Sequence, residues 1–121
     1  MTKIAIIEDD PTINQMYRMK FEAAGFDVQI ADNGDTGIAL IESFRPDMAL
    51  LDLQMPGKGG VEVLSEVRSW DWAKQLPVLI LTNLGKEEAP KELSSLGIEG
   101  YIVKAELTPS QVVERVKEVL G

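Results

Sequence analysis

Apolar residues fall along this chain in short unbroken runs, separated by longer stretches where they recur every three or four positions. Ile4, Ala5, Ile6 and Ile7 follow Lys3 without a polar residue between them, the pattern of a strand covered on both faces. Asp10 or Pro11 then opens a predicted helix to about Ala24, with Ile13, Met16, Tyr17 and Phe21 expected on one face and Gly25 as its C-terminal cap. Asp27 to Ala31 reads as a second strand. Asn33-Gly34 reads as a turn before a helix from about Asp35 to Phe44. Met48 to Leu51 is the third strand, and Asp52 to Gly59 a loop rich in proline and glycine. Val61, Val63, Leu64 and Val67 mark a third helix to about Trp70. Val78 to Leu81 follows as a strand, then a weaker helix from about Lys86 to Leu96, interrupted near its start by Pro90. Gly100 to Val103 is the fifth strand. Thr108-Pro109 supplies an N-cap and a first-turn proline for a last helix burying Val112, Val113, Val116 and Val119.

Five strand–helix units in succession, without a linker, a low-complexity segment or a sequence repeat, predict one α/β domain over residues 1–121. Strands that lack polar alternation need cover on both faces. Right-handed crossovers then favour an open, doubly wound parallel sheet.

Composition narrows the chemistry. The 121 residues include no cysteine and no histidine, which removes disulfides, thiolate and imidazole metal ligands, and every His-dependent triad. Any reaction must rest on carboxylates, hydroxyls, lysines and bound ions. Twenty acidic against twelve basic residues give a net charge of −8, which disfavours direct nucleic-acid binding. The N-terminus has no signal-peptide pattern, and no apolar run approaches the roughly 20 residues that span a bilayer. A cytoplasmic protein with no membrane contact is the expectation.

In doubly wound sheets, ligands bind beyond the carboxyl ends of the strands. Glu8-Asp9-Asp10 follow the first strand, Asp52 the third, Thr82 the fourth and Lys104 the fifth; Asp32 follows the second, at the expected sheet edge. Three carboxylates, a hydroxyl and an amine are thereby predicted to converge on one rim, with Asp10 assigned to capping the first helix. Two carboxylates about 5 Å apart repel by roughly 3 kcal/mol at an effective dielectric near 20, so they must protonate, pair with a cation or bind a metal. Oxygen-only ligands suit Mg2+. Asp52 could then attack a phosphoryl group as a carboxylate nucleophile, with Lys104 and Thr82 holding the new phosphoryl oxygens.

Ile6-Ile7-Glu8-Asp9-Asp10-Pro11, Leu50-Leu51-Asp52-Leu53-Gln54-Met55-Pro56 with Gly60, Ile80-Leu81-Thr82 and Tyr101-Ile102-Val103-Lys104 together resemble the receiver domain of bacterial two-component response regulators. The resemblance covers essentially the whole chain. It implies a flavodoxin-like (βα)5 fold with strand order 2-1-3-4-5. It also implies Asp52 as phosphoacceptor, Asp9 and Asp52 as direct magnesium ligands with the backbone carbonyl of Gln54, and Glu8 acting through a bound water. Lys104 would pair with Asp52 at rest and with the phosphoryl group after modification; Thr82 and Tyr101 would form the switch. The implied partners are a sensor histidine kinase or a phosphotransfer protein, and a downstream protein met through the fourth helix, fifth strand and last helix. That face can also support a homodimer, and no output domain is expected within this chain.

Three places depart from the family pattern: Ala105, Asn83, and Gln54, whose position lies near the attacking water in the family. Ala105 follows Lys104 where the family has a proline in a cis bond. A cis bond to a non-proline residue costs about 2.5–4 kcal/mol, so a trans or locally rebuilt loop is expected. Asn83 stands where the family often has alanine or glycine and is expected to narrow access to Asp52. Two competing functions remain at this point: a receiver-like scaffold that no longer takes phosphate, and a small phosphatase with Asp52 as nucleophile. Against the phosphatase, Gln54 occupies the place where such enzymes put their second acid.

Overall fold

The computed structural model describes all 121 residues. The chain alternates β1 (Lys3–Ile7), α1 (Pro11–Ala23), β2 (Asp27–Ala31), α2 (Gly34–Phe44), β3 (Met48–Leu51), α3 (Gly60–Arg68), β4 (Val78–Thr82), α4 (Glu92–Leu96), β5 (Gly100–Val103) and α5 (Pro109–Leu120). Short 3-10 turns lie at Asp71–Ala73, Lys86–Glu88 and Lys104–Glu106. All four strand pairings are parallel, in the order β2-β1-β3-β4-β5. This is the doubly wound, flavodoxin-like sheet that the sequence pattern and the resemblance predict.

The period of two along each strand explains the two-sided core. Ile4 and Ile6 face the layer of α1 and α5, among Tyr17, Phe21, Leu50, Leu79, Val112 and Val116. Ala5 and Ile7 face the layer of α2, α3 and α4, among Ile38, Ile41, Leu51, Val63, Leu64 and Leu93. Burying a side chain of this size contributes about 1.5–3 kcal/mol, so every strand is anchored from both faces.

Several local expectations need correction. Met16 does not join the core; it is 39 % exposed, and Asn14 takes the buried place with Tyr17 and Phe21. The buried stripe runs through positions 14, 17 and 21, and position 16 lies about 200° around the helix from position 14. The predicted helix from Lys86 to Leu96 is a 3-10 turn and a separate five-residue α4. Pro90 disfavours helical backbone in the residue before it, and Ala89 is accordingly extended at φ −61°, ψ 136°. α2 begins at Gly34, not Asp35, because Asn33 caps it by accepting the Thr36 N–H at 2.9 Å. α3 ends at Arg68, two residues before the expected end at Trp70.

Candidate functional site

In the β1–β3 pairing Ile7 stands opposite Leu51, so the next residues, Glu8 and Asp52, leave the sheet side by side. The Asp52 N–H still donates to the Ile7 carbonyl at 3.0 Å, and the Glu8 N–H to the Ala31 carbonyl at 3.0 Å, so the backbone at both carboxylates is held by the ladder. β5 lies two strands from β3, and Thr82 pairs with Val103 in the last register position of β4 and β5. Only a long side chain can cross the end of β4 from there, and Lys104 does.

Its Nζ donates to both Glu8 carboxylate oxygens at 2.7 Å and to Asp52 Oδ2 at 2.9 Å. The three side chains are almost sealed from water, at 9 % exposure for Lys104, 4 % for Glu8 and 5 % for Asp52. One cation thus faces two carboxylates in a poorly solvated site. Burial, with the hydrogen bond to Asp52, pushes the Glu8 carboxyl up to about 7, against the pull of Lys104. Burial also opposes ionisation of Asp52. Hydrogen bonds from Glu8, from the Gln54 N–H (3.1 Å to Asp52 Oδ1) and from Lys104 outweigh it and hold Asp52 below the usual aspartate range. Desolvation works against the Lys104 charge, but its bonds to the two carboxylates keep its pKa above the ordinary lysine value. Of the buried pair, Asp52 is therefore the carboxylate that holds its charge more readily.

Asp9 is exposed and completes a group with Glu8 and Asp52 whose oxygens lie within 4.8 Å of one another. This all-oxygen donor set, with one member open to water, fits a hard divalent cation better than a soft one. Asp10 stands apart as the N-cap of α1, accepting from Thr12 N (2.9 Å) and Ile13 N (3.1 Å). Asp32 is exposed at the end of the edge strand and accepts from Asn33 Nδ2.

Thr82 is the last residue of β4 rather than the first after it, and it is buried. Its Oγ1 accepts a long bond from Leu84 N at 3.4 Å. The Tyr101 hydroxyl donates to the Leu84 carbonyl at 2.9 Å, linking β5 to the segment that follows Thr82. Asn83, next to Thr82, is exposed. The Lys104–Ala105 bond is trans, as expected without proline, and Lys104 opens a 3-10 turn rather than a loose loop.

Sequence reasoning missed Asn14. Its buried Nδ2 donates to the Glu8 carbonyl at 2.9 Å and to the Ala31 carbonyl at 3.0 Å, joining the ends of β1 and β2 where Glu8 leaves the sheet. The available signal was a polar residue three and seven positions before Tyr17 and Phe21, on the stripe that faces the sheet.

A sequence model of the response regulator receiver domain matches residues 4–117. The chain belongs to this family. The receiver domain is 37 % identical over 119 residues to the transcriptional regulatory protein ResD of Bacillus subtilis, covering 98 % of this chain and 48 % of ResD. It is 32 % identical over 120 residues to the phosphate regulon regulatory protein PhoB of Rhizobium meliloti, covering 99 % of this chain and 52 % of PhoB. The chain thus spans about half the length of the curated relatives it matches. Among solved structures it is similar to the chemotaxis response regulator CheY4 of Vibrio cholerae (TM-score 0.90, 28 % identity, 98 % of each chain covered). It is also similar to the response regulator TrrA of Thermotoga maritima in complex with Mg(2+)-BeF (TM-score 0.84, 28 % identity, 98 % of this chain and 99 % of that one). The protein is therefore the receiver domain of a two-component response regulator, with an acidic cluster able to hold a metal ion; no helix is long and apolar enough to cross a membrane.

Proposed function

We propose that this receiver domain accepts a phosphoryl group on Asp52 from a phosphohistidine of a sensor kinase or phosphotransfer protein, in the presence of Mg2+, and thereby changes its protein contacts. The observation that carries the reading is the buried Asp52 carboxylate, held below its usual pKa beside Glu8, Asp9 and Lys104. Asp9, Asp52 and the Gln54 backbone carbonyl would hold the ion, with Glu8 reached through water. When bound, the ion supplies charge neutralisation for the incoming phosphoryl group.

In the transfer an Asp52 oxygen attacks phosphorus, the O–P bond forms as the donor's N–P bond breaks, and the leaving imidazole nitrogen keeps the electron pair and takes a proton. Lys104 then exchanges its bond to Asp52 for one to a phosphoryl oxygen, and the Thr82 hydroxyl donates to another. Reorientation of Thr82 disturbs the segment to which Tyr101 is bonded at Leu84, and so reaches α4 and β5. Water attack on phosphorus later restores the free carboxylate. This chemistry acts on the domain itself rather than turning over an external substrate. In the cytoplasm the domain would signal to a downstream protein or to a second copy through the α4–β5–α5 face, without itself contacting nucleic acid.

The test is intact-mass spectrometry after incubation with acetyl phosphate and, separately, with a histidine-phosphorylated phosphotransfer domain. A single phosphoryl adduct that requires both Mg2+ and Asp52, and is lost in Asp52→Ala, is the expected result. No adduct from either donor would leave the domain as a binding scaffold.

A further inference from the structure

Gly34, the first residue of α2, carries none of the site's reactive groups, yet it presses on the loop that does. A Cβ added to it would stand 2.4 Å from the Lys58 carbonyl oxygen and 2.8 Å from Lys58 Cβ. Its φ lies outside the left-handed region, so glycine is needed for space and not for backbone freedom.

The contact lies between a fixed element and a short, stiff one. α2 is anchored by its Asn33 cap and by Ile38 and Ile41 in the core. Lys58 is drawn to it as Nζ sits 3.5 Å from Asp35 Oδ1 on α2 and 3.6 Å from Glu66 Oε1 on α3. Between Lys58 and Gln54 run only Met55, Pro56 and Gly57, with φ fixed by the ring at Pro56 and a left-handed turn at Gly57 (φ 73°). At the other end a Cβ on Gly60 would stand 2.4 Å from the Asp52 carbonyl. The loop that starts at Asp52 is therefore gripped at both ends by glycines that let backbone meet backbone.

We propose that Gly34 is a positioning residue for the metal. By admitting Lys58 to close contact with α2, it sets the Asp52–Gly59 loop and with it the Gln54 carbonyl. Any side chain at position 34 drives Lys58 back by about 1 Å, the difference between the 2.4 Å approach and ordinary contact at 3.4 Å. That movement reaches Gln54 through three residues with little slack. The inference rests on the reading of Gln54 and Asp52 as metal ligands.

The test compares Mg2+ binding by calorimetry, and metal-free amide spectra, for the wild-type protein, Gly34→Ala and Val116→Ala. The last removes a buried α5 side chain remote from this loop and so reports general destabilisation. Gly34→Ala is expected to raise the Kd for Mg2+ about tenfold, as loss of an outer-shell support does. It should also shift the Gln54 and Met55 amide signals before any metal is added, while the phosphorylation rate at saturating Mg2+ stays within about twofold of wild type. Pro56→Gly, which keeps the Gly34 contact but loosens the link to Gln54 at an exposed position, is expected to weaken Mg2+ binding in the same direction. Wild-type affinity in Gly34→Ala or in Pro56→Gly overturns the proposal, as does equal weakening in Val116→Ala. If the wild-type protein binds no Mg2+, the phosphoacceptor reading fails and the proposal falls with it.

Discussion

Replacing Lys104 by methionine removes the single cation that holds two buried carboxylates together. Its Nζ lies 2.7 Å from the Glu8 oxygens and 2.9 Å from Asp52 Oδ2. At an effective dielectric near 20, a unit pair at such a distance attracts by about 6 kcal/mol, most of which desolvation of the ammonium offsets. Breaking a buried pair by removing one partner costs about 3–5 kcal/mol because the remaining charge is stranded. Here the loss should sit at the lower end, about 3 kcal/mol, because Glu8, whose carboxyl already stands at about 7, can keep its proton and relieve the repulsion. Magnesium affinity should move the other way. The amine competes with any cation for Asp52, so its removal should tighten Mg2+ binding about tenfold, the low end of what a neighbouring opposite charge is worth. Urea unfolding with and without Mg2+, together with calorimetric titration, measures both. The variant should be less stable than wild type without metal, recover most of the gap at saturating Mg2+, and lose phosphoryl uptake. Unchanged metal-free stability, or weaker Mg2+ binding, would refute the reasoning.

Other consequences follow from the same geometry. Glu8 binds a proton in the folded protein between its ordinary 4.5 and about 7 that the unfolded chain lacks. Its contribution to metal-free stability is therefore full below pH 4.5 and lost as pH rises through about 7, by up to about 3 kcal/mol. Urea midpoints at about pH 5.5 and 7.5 should show the fall, Glu8→Gln should remove it, and an unchanged slope in that variant would assign the titration elsewhere. Arg68 donates at 2.8 Å to the carbonyls of Leu96 and Gly97 at the end of α4 and of Ala73. Arg68→Met should cost about 2 kcal/mol and speed amide exchange around Leu93 to Gly97 more than elsewhere, whereas uniform exchange would exclude a local clamp. Asn83→Ala should accelerate phosphorylation by acetyl phosphate more than by a phosphohistidine donor; equal rates for wild type and variant would acquit the exposed amide.

Four strands were legible because each carries an unbroken apolar run, β2 because Val28, Ile30 and Ala31 lie between turn signals, and the site because its residues directly follow those strands. A parallel register then places Glu8 beside Asp52 without further information. What escaped the sequence depends on angles and contacts that no single residue carries. Met16 and Asn14 exchange places on α1 because the buried stripe is narrow, and hydrophobicity alone ranks them the wrong way. The fourth helix shrinks to five residues because Pro90 leaves Ala89 extended, an effect stronger than the residual helical pattern. The sharing of Lys104 between Glu8 and Asp52 depends on how far one side chain reaches across β4. The close approach of Gly34 to Lys58 joins the start of α2 to a loop 24 positions further on, and nothing in either segment's sequence announces the other.

The central claim is that the phosphoryl group is carried by the Asp52 carboxylate, and reductive trapping tests it most directly. The domain is loaded by a phosphohistidine donor with Mg2+, treated with borohydride, which reduces an acyl phosphate to an alcohol, and mapped by peptide mass spectrometry. The account predicts conversion of the residue at position 52 to homoserine, dependent on Mg2+, with Glu8, Asp9 and Asp10 unchanged. Conversion at any of those three carboxylates instead, or a phosphorylated protein with Asp52 intact, would contradict it.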